Sequence, residues 1–298
     1  MKKQFLFYSG ALALLAGYFI LSLPMEINYH KFFSSKLGQD FELKAYGTGG
    51  KPIMVFPTSS GRFFDYAERG MIAAMAEFIE RGDVIVFTVD GRDWESWYKP
   101  ARDRWMAIRH AQYEACVAEE VIPFIAGTYK LNEKFMATGN SMGAFHAANF
   151  FLKFPRCFDS AVCLSGVYTL KTELNGYGDE GVFFNEPLSY MPGLRDEKIL
   201  SELRDGYIVI AHGRGAWEIF NGQAQELAAV IKNKGITCWY DPWGEEWPHD
   251  WQTWQAQIKK YLSATKLNPA RLAGRFRHLS EEDLTVSGAF IQSVKPEN

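Results

Sequence analysis

A serine lies between two glycines in the pentapeptide Gly139-Asn140-Ser141-Met142-Gly143. The residues before it have the apolar composition of a short buried strand, and those after it have the spacing of a helix that packs on a sheet. A sharp turn from a strand into a helix holds a serine hydroxyl above the sheet, and only very small neighbours leave room for it. The pattern therefore predicts that Ser141 is a nucleophile. The alternative is a tight glycine turn in which Ser141 only caps the helix.

A serine hydroxyl needs a general base before it can attack a carbonyl carbon. Of the six histidines in the chain, His249 lies between the last predicted strand and the last predicted helix. This is where the base is expected in a hydrolase with the chain order serine, acid, histidine. His212, which directly follows a predicted strand, is the alternative base. His110 and His146 fall inside predicted helices and His278 lies near the C-terminus, so these three are set aside.

The third member of such a triad is a carboxylate that orients the imidazole and stabilises its cation. It is expected on the loop that follows the strand before the histidine. The stretch "IVIAHGRGAWEIFNG" offers Glu218 at this place. Asp241, Asp250 and Asp179 are the alternative acids.

Acyl transfer also needs an oxyanion hole, in which two backbone N–H groups point at the developing negative charge. The N–H of Met142 follows from the turn geometry. The second donor is expected in the loop "PTSSGRFF" after the strand predicted at 52–56, where Ser59 is the first choice and Ser60 the alternative.

These residues need a framework, and the chain beyond residue 40 alternates short β-branched runs with longer helical patterns. Strands are predicted at 41–46, 52–56, 83–89, 134–138, 160–165, 207–211 and 236–241. Helices are predicted at 66–81, 101–126, 142–154, 221–234 and 250–262. This alternation indicates an α/β fold with a mostly parallel central sheet and helices on both faces. The segment 168–200 interrupts the alternation and is expected to form a functional cap or lid.

The composition limits the class of protein. With 298 residues, of which 47% are hydrophobic and 22% charged, the chain can bury one large core or at most two modest ones. A net charge of -3 without Lys/Arg clusters argues against nucleic acid as a partner, because phosphate binding needs a basic face. The four cysteines show no paired spacing, which predicts buried free thiols. No spacing suggests a metal ligand set, and neither a metal nor another cofactor is expected.

The N-terminal residues 1–24 contain two lysines followed by an uncharged run at 5–23. As a helix this run would span about 28 Å, which is enough to cross the apolar core of a bilayer. We predict an uncleaved membrane anchor with the domain outside, followed by a globular domain at 25–265 and a tail at 266–298. The alternatives are a cleaved export signal, or translation that starts at Met25 and leaves the protein in the cytoplasm.

Several stretches together resemble the putative esterase family of α/β hydrolases, the group around esterase D. They are "VFPTSSGRFFDY", "VDGRDWESWY", "TGNSMGAFHAANF", "LSGVYTL", "HGRGAWE" and "PHDWQTWQAQ". The resemblance covers about residues 29–262 and implies an α/β-hydrolase fold with a triad of Ser141, Glu218 and His249. Relatives include S-formylglutathione hydrolases, feruloyl esterases and mycolyltransferases. The last of these similarly carry a glutamate shortly after a Gly-x-Gly and a histidine followed by spaced tryptophans.

Five of the nine tryptophans fall in loops that should converge where the strands end, and this rim is where open α/β sheets bind ligands. They are Trp94, Trp97, Trp217, Trp243 and Trp247. Trp97, Trp217 and Ser60 are expected to contact the substrate; the alternative is that the tryptophans only pack loops against the core. The function predicted from these residues is cleavage of a small-molecule carboxylic ester or thioester by a serine hydrolase. The alternatives are an acyltransferase with the same triad and an alcohol acceptor, or a binding module that keeps the fold without catalysis.

Overall fold

A computed structural model describes residues 25–264 of the chain. The segment 1–24, with the predicted membrane anchor at 5–23, and the predicted tail at 266–298 lie outside the described residues. Within residues 25–264, no helix is both long enough and apolar enough to cross a membrane.

An eight-stranded sheet forms the centre of the domain. Its strands are β1 (Ile27–Ser34), β2 (Gln39–Tyr46), β3 (Lys51–Phe56), β4 (Val84–Val89), β5 (Phe135–Asn140), β6 (Phe158–Leu164), β7 (Tyr207–His212) and β8 (Thr237–Pro242). The strand order is β1-β2-β4-β3-β5-β6-β7-β8. β1 and β2 form an antiparallel hairpin, β2 is antiparallel to β4, and all the other neighbours are parallel. The carboxyl ends of β3 to β8 therefore meet at one edge of the sheet.

Helices connect the strands. They are α1 (Asp65–Glu68), α2 (Met71–Glu80), α3 (Trp105–Cys116), α4 (Ile122–Tyr129), α5 (Met142–Lys153), α6 (Glu180–Phe183), α7 (Pro187–Tyr190), α8 (Glu197–Arg204), α9 (Asn221–Asn233) and α10 (Trp251–Ala264). A 3₁₀ turn lies at Asp93–Glu95, and a π-helical stretch, Val117–Val121, joins α3 to α4.

The core has two main layers, one on each face of the sheet. Apolar side chains of α3, α4, α5 and α9 pack against one face, and those of α2 and α10 pack against the other. Every residue of β3, β4 and β5 is buried, as expected for parallel strands that are covered by helices on both faces. The predicted α/β-hydrolase fold with a mostly parallel sheet is therefore confirmed.

Three local features differ from the prediction. The edge strand β1 was not predicted; its residues alternate between exposed and partly buried, and its pairing with β2 forms the hairpin. The helix predicted at 66–81 is divided by Gly70, which has a φ of 77° and begins α2 from a left-handed conformation. The helix predicted at 101–126 begins only at Trp105 and contains the π-helical stretch.

The segment 168–200 carries α6, α7 and the start of α8, and several of its apolar side chains are buried. Leu170, Leu174 and Val182 belong to a third apolar cluster, which also contains Met142 and Phe145 at the start of α5. The segment thus covers the helix that follows Ser141. All four cysteines are free; Cys238 is half-buried and the other three are buried.

Candidate active site

Ser141 occupies the sharp turn between β5 and α5. Its φ of 55° and ψ of −120° are unusual for a residue with a Cβ and indicate backbone strain. Both neighbouring glycines are required sterically. A Cβ on Gly139 would lie 2.4 Å from the carbonyl of Gly143, and one on Gly143 would lie 2.3 Å from the carbonyl oxygen of Phe56. The Ser141 side chain makes no capping hydrogen bond to α5, so the alternative of a simple helix cap is not supported.

His249 lies in the loop between β8 and α10, and its environment fixes the orientation of its ring. Its backbone N–H donates to the carbonyl of Ala216 at 2.9 Å. The Trp254 indole packs edge-on against the imidazole, with 4.9 Å between ring centroids. Nδ1 of His249 lies 3.4 Å from Oε2 of Glu218. The imidazole is 16% exposed, so most of its surface is covered by its neighbours.

Glu218 follows β7, and its side chain is almost completely buried at 1% exposure. Its Oε1 accepts hydrogen bonds from the hydroxyl of Ser165 at 2.5 Å and from the N–H of Gly213 at 3.0 Å. Burial on its own raises the pKa of Glu218, but the hydrogen bonds from His249, Ser165 and Gly213 outweigh it and lower the pKa overall. Glu218 is therefore held as a carboxylate that accepts from His249.

The structure brings Glu218 and His249 into direct contact, and it joins Ser141 to this pair through the end of β6. The N–H of Ser141 donates to the carbonyl of Leu164 at 2.9 Å. The next residue, Ser165, donates to Glu218 and accepts from the indole N–H of Trp254 at 2.9 Å. Trp254 in turn packs on His249.

Ser165 and Trp254 were not predicted as site residues, although both fall in stretches that carry the family resemblance. Their sequence signal was a Ser-Gly pair at the end of a predicted strand and a tryptophan five residues after His249. Neither feature identifies a partner without the fold.

The alternative acids are occupied elsewhere. Asp241 accepts from Lys260, Tyr261 and the Trp243 indole. Asp179 caps α6 by accepting the N–H of Val182.

Asp250 is exposed, and it accepts the backbone N–H of its neighbour Trp251. The alternative base, His212, is 2% exposed, and its two ring nitrogens contact the Gly213 carbonyl at 2.6 Å and the Tyr240 hydroxyl at 3.0 Å. Glu218 and His249 remain the pair with geometry suited to a triad.

The loop after β3 forms a turn in which the N–H of Gly61 donates to the carbonyl of Thr58 at 2.8 Å. Ser60 lies within this turn, and its N–H donates to Oδ2 of Asp93 at 3.2 Å, so this N–H is not available to an oxyanion. Among residues 25–264, no acceptor contacts the N–H of Ser59. The N–H of Met142 opens α5, where the first turn of a helix leaves donors free of intrahelical partners. The geometry favours Ser59 over Ser60 as the second oxyanion donor.

The residues expected to contact substrate have different environments. Trp97 is completely buried and packs on the rings of His110 and Phe145, with centroid distances of 4.8 Å and 6.3 Å. The predicted contact of Trp97 with substrate does not fit this position, because a fully buried ring has no face to offer; it supports α5 from within the core. Trp217, immediately before Glu218, is 80% exposed. Ser60 is exposed in the loop after β3.

No group of three or more His, Cys, Asp or Glu side chains within the described part of the chain could hold a metal ion.

Comparison with known proteins identifies the family. The family model described as "Putative esterase" matches residues 56–271. No curated protein sequence matches the chain. Solved structures with the same fold include a ferulic acid esterase, with a TM-score of 0.65, 17% identity and coverage of 80% of this chain and 96% of the other.

Two further structures are similar over most of their length. An S-formylglutathione hydrolase from Agrobacterium tumefaciens has a TM-score of 0.61 at 16% identity, covering 82% of this chain and 96% of its own. The fluorophosphonate-binding serine hydrolase FphF from Staphylococcus aureus has a TM-score of 0.59 at 16% identity, covering 82% and 99%. Because the family model matches most of the chain, the protein belongs to the putative esterase family and is a carboxylic ester hydrolase.

Proposed function

We propose that the enzyme cleaves a carboxylic ester or thioester through a covalent acyl-enzyme formed on Ser141, with His249 as general base and Glu218 as the acid of the triad. The observation that carries this proposal is the contact between Nδ1 of His249 and the buried, ionised Glu218, on the same sheet edge as the strained Ser141 turn. A carboxylate at Nδ1 keeps that nitrogen protonated and leaves Nε2 free to accept a proton.

The reaction proceeds in two halves. The Oγ of Ser141 attacks the carbonyl carbon while Nε2 of His249 takes its proton, and the resulting imidazolium is stabilised by Glu218. The oxyanion is held by the N–H groups of Met142 and Ser59. His249 then protonates the leaving alcohol or thiol, and water repeats the attack on the acyl-enzyme to release the acid and restore Ser141.

An apolar group on the substrate is supported by the surface around Glu218. Trp217 and Ile219, the two residues that flank this acid, are 80% and 74% exposed. Large apolar side chains at a site rim are candidates for contact with an acyl or alcohol group. The similarity to a ferulic acid esterase and to an S-formylglutathione hydrolase supports ester and thioester bonds, respectively, as the bonds to test.

The test uses a fluorophosphonate probe and two substrate series, p-nitrophenyl esters and S-acyl thioesters of increasing acyl length. We expect the wild type to be labelled and to turn over at least one series, and the Ser141→Ala variant to show neither. Labelling that persists in Ser141→Ala would refute the assignment of the nucleophile. Acyl transfer to an added alcohol in preference to water would favour the acyltransferase alternative, and an unlabelled, inactive wild type would favour a binding module.

We also propose that the uncharged run at 5–23 attaches the domain to a membrane. Fractionation of cells that express the full chain, compared with a chain that starts at Met25, tests this proposal. A full chain that stays in the soluble fraction would contradict it.

A further inference from the structure

A buried hydrogen-bonded bridge connects α5 to the loop that carries the second oxyanion donor. Nε2 of His146 lies 2.8 Å from Oδ1 of Asp93, and Oδ2 of the same carboxylate accepts the N–H of Ser60 at 3.2 Å. Both side chains are buried, at 3% exposure for His146 and 2% for Asp93. The bridge therefore ends on the backbone of the residue directly after Ser59.

We propose that Asp93 and His146 are positioning residues that hold the Ser59 N–H at the distance from Ser141 that the oxyanion requires. This inference rests on the proposed function. His146 lies on the same helix that begins at Met142, the first oxyanion donor. The helix α5 thus follows Ser141 directly and carries the N–H of Met142. Through His146 and Asp93, it also fixes the loop that carries the N–H of Ser59.

The loop after β3 needs a stabilising contact of this kind because its backbone is strained. Ser60 has a φ of 56°, a conformation that residues with a Cβ adopt only when the surroundings enforce it. The far end of the loop is held separately, since the guanidinium of Arg62 and the N–H of Phe63 both donate to Oδ1 of Asp90. At the Ser59 end, Asp93 makes the corresponding backbone contact.

The geometry suits a permanent bridge rather than a transient one. The carboxylate of Asp93 satisfies one donor with each oxygen, so neither donor can leave without an unpaired buried group remaining. The His146 ring is also confined by aromatic neighbours, and it stacks on His110 with 5.3 Å between centroids. The ring can therefore serve as a fixed support for Asp93.

The experiment compares two substitutions that remove the same ring. His146→Gln keeps a nitrogen donor that can reach Asp93, whereas His146→Leu removes it. With the ester identified for the wild type, we expect the Leu variant to lose about 10- to 100-fold in kcat with KM within about threefold, and the Gln variant to recover most of that loss.

A second measurement separates positioning from general destabilisation. An aryl boronic acid that bonds to Ser141 places an oxygen in the oxyanion hole, so its inhibition constant should rise in the Leu variant in proportion to the loss of kcat. If His146→Leu does not fold, Asp93→Ala is measured in the same way. It removes both acceptors of the bridge, and we expect it to weaken boronate binding by about 3- to 30-fold.

Glu120 supplies the matched control. It accepts the N–H groups of Ser35 and Lys36 and thereby fixes the turn between β1 and β2, which form one edge of the sheet and are separated from β5 by β4 and β3. Glu120→Ala should lower the melting temperature without changing kcat or boronate affinity.

The outcomes distinguish the two levels of the proposal. Two results with an active wild type would overturn the positioning role alone. In the first, His146→Leu keeps the kcat of the wild type. In the second, His146→Leu, His146→Gln and Glu120→Ala all lose kcat to the same extent. A wild type that is neither labelled at Ser141 nor active would overturn the proposed function and the inference with it.

Discussion

The Glu218→Gln variant gives the sharpest test of the triad. A glutamine can keep its carbonyl oxygen at the position of Oε1, where it accepts from Ser165 and Gly213. Its NH₂ then replaces Oε2 and faces Nδ1 of His249. That nitrogen must become an acceptor, so the ring proton moves to Nε2, which can no longer take the proton of Ser141. A wrong tautomer costs on the order of 10⁴ in kcat, or about 5 kcal/mol of transition-state stabilisation.

Stability separates this kinetic effect from damage to the fold. In Glu218→Gln the Ser165 hydroxyl and the Gly213 N–H keep their acceptor, so the free energy of unfolding should change by less than about 1 kcal/mol. Glu218→Ala instead leaves the Ser165 hydroxyl and the Gly213 N–H unpaired, at about 1–3 kcal/mol each. We therefore expect Ala to lower the melting temperature clearly more than Gln, while both variants lose kcat.

The assay is steady-state hydrolysis of a p-nitrophenyl ester, with thermal unfolding measured on the same samples. Asp241→Asn is the control, because Asp241 is a rival acid whose hydrogen bonds go to Lys260, Trp243 and Tyr261. It should keep kcat. If Glu218→Gln stays within about tenfold of the wild type, a drop far below the tautomer effect, the assignment of Glu218 is refuted.

Three further predictions concern the turn, acid stability and the site rim. Gly143→Ala should lower both kcat and the melting temperature, because the new Cβ would lie 2.3 Å from a backbone oxygen. Gly127→Ala is the control: it lies in a helix with open space around it, so thermal melts should show a gain in stability of up to about 1 kcal/mol. Burial raises the pKa of Glu114, but Lys153 and His110 outweigh it and lower the pKa from 4.5 to about 2. The ionised Glu114 therefore stabilises the folded state fully above about pH 4.5, and this stabilisation is lost as pH falls towards 2. Urea unfolding measured at a series of pH values should show a loss on the order of 3 kcal/mol in the free energy of unfolding. The loss should be smaller in Glu114→Gln. Trp217→Ser should raise KM for long-chain esters several-fold without changing the melting temperature, and an unchanged KM would exclude the indole from the acyl site.

The alternation of strand-like and helix-like patterns along the chain was sufficient to predict the architecture. Fully buried strands such as β3, β4 and β5 have continuous apolar runs that stand out from the helical patterns between them. The edge strand β1 lacks this signal, since its residues alternate between exposed and half-buried positions. Its pairing depends on β2, which is a tertiary fact that local periodicity does not contain.

Residues of the candidate site could be predicted where the local sequence or the position after a strand indicated a catalytic role. Ser141 carries a local signal, because its strained turn needs glycines on both sides. His249 and Glu218 were predicted from their places after strands, which the parallel topology brings to one edge. By contrast, His146 was set aside because it lies inside a helix, and only the packing of α5 shows that its ring reaches Asp93. A contact between two residues that are distant in the chain, such as His146 and Asp93, cannot be predicted from their spacing in the sequence.

Backbone strain is concentrated at this edge of the sheet. Among the described residues, six non-glycine residues have a positive φ, and four of them follow parallel strands: Ser60, Ser141, Ser165 and Trp217, after β3, β5, β6 and β7. Such conformations cost about 1–3 kcal/mol each and persist only where the surroundings enforce them.

Each of the three strained serines is tied to a different part of the chain. Ser60 donates its N–H to Asp93, Ser165 binds Glu218 and Trp254, and Ser141 donates its N–H to Leu164. The partner of Ser141 lies on the strand that precedes Ser165, and the partner of Ser165 lies next to Trp217. Asp93 links Ser60 to His146, on the helix that follows Ser141. The Ser141 turn, Glu218 and the loop that carries Ser59 and Ser60 are therefore held as one unit, which is what the proposed stabilisation of a transition state by fixed dipoles requires.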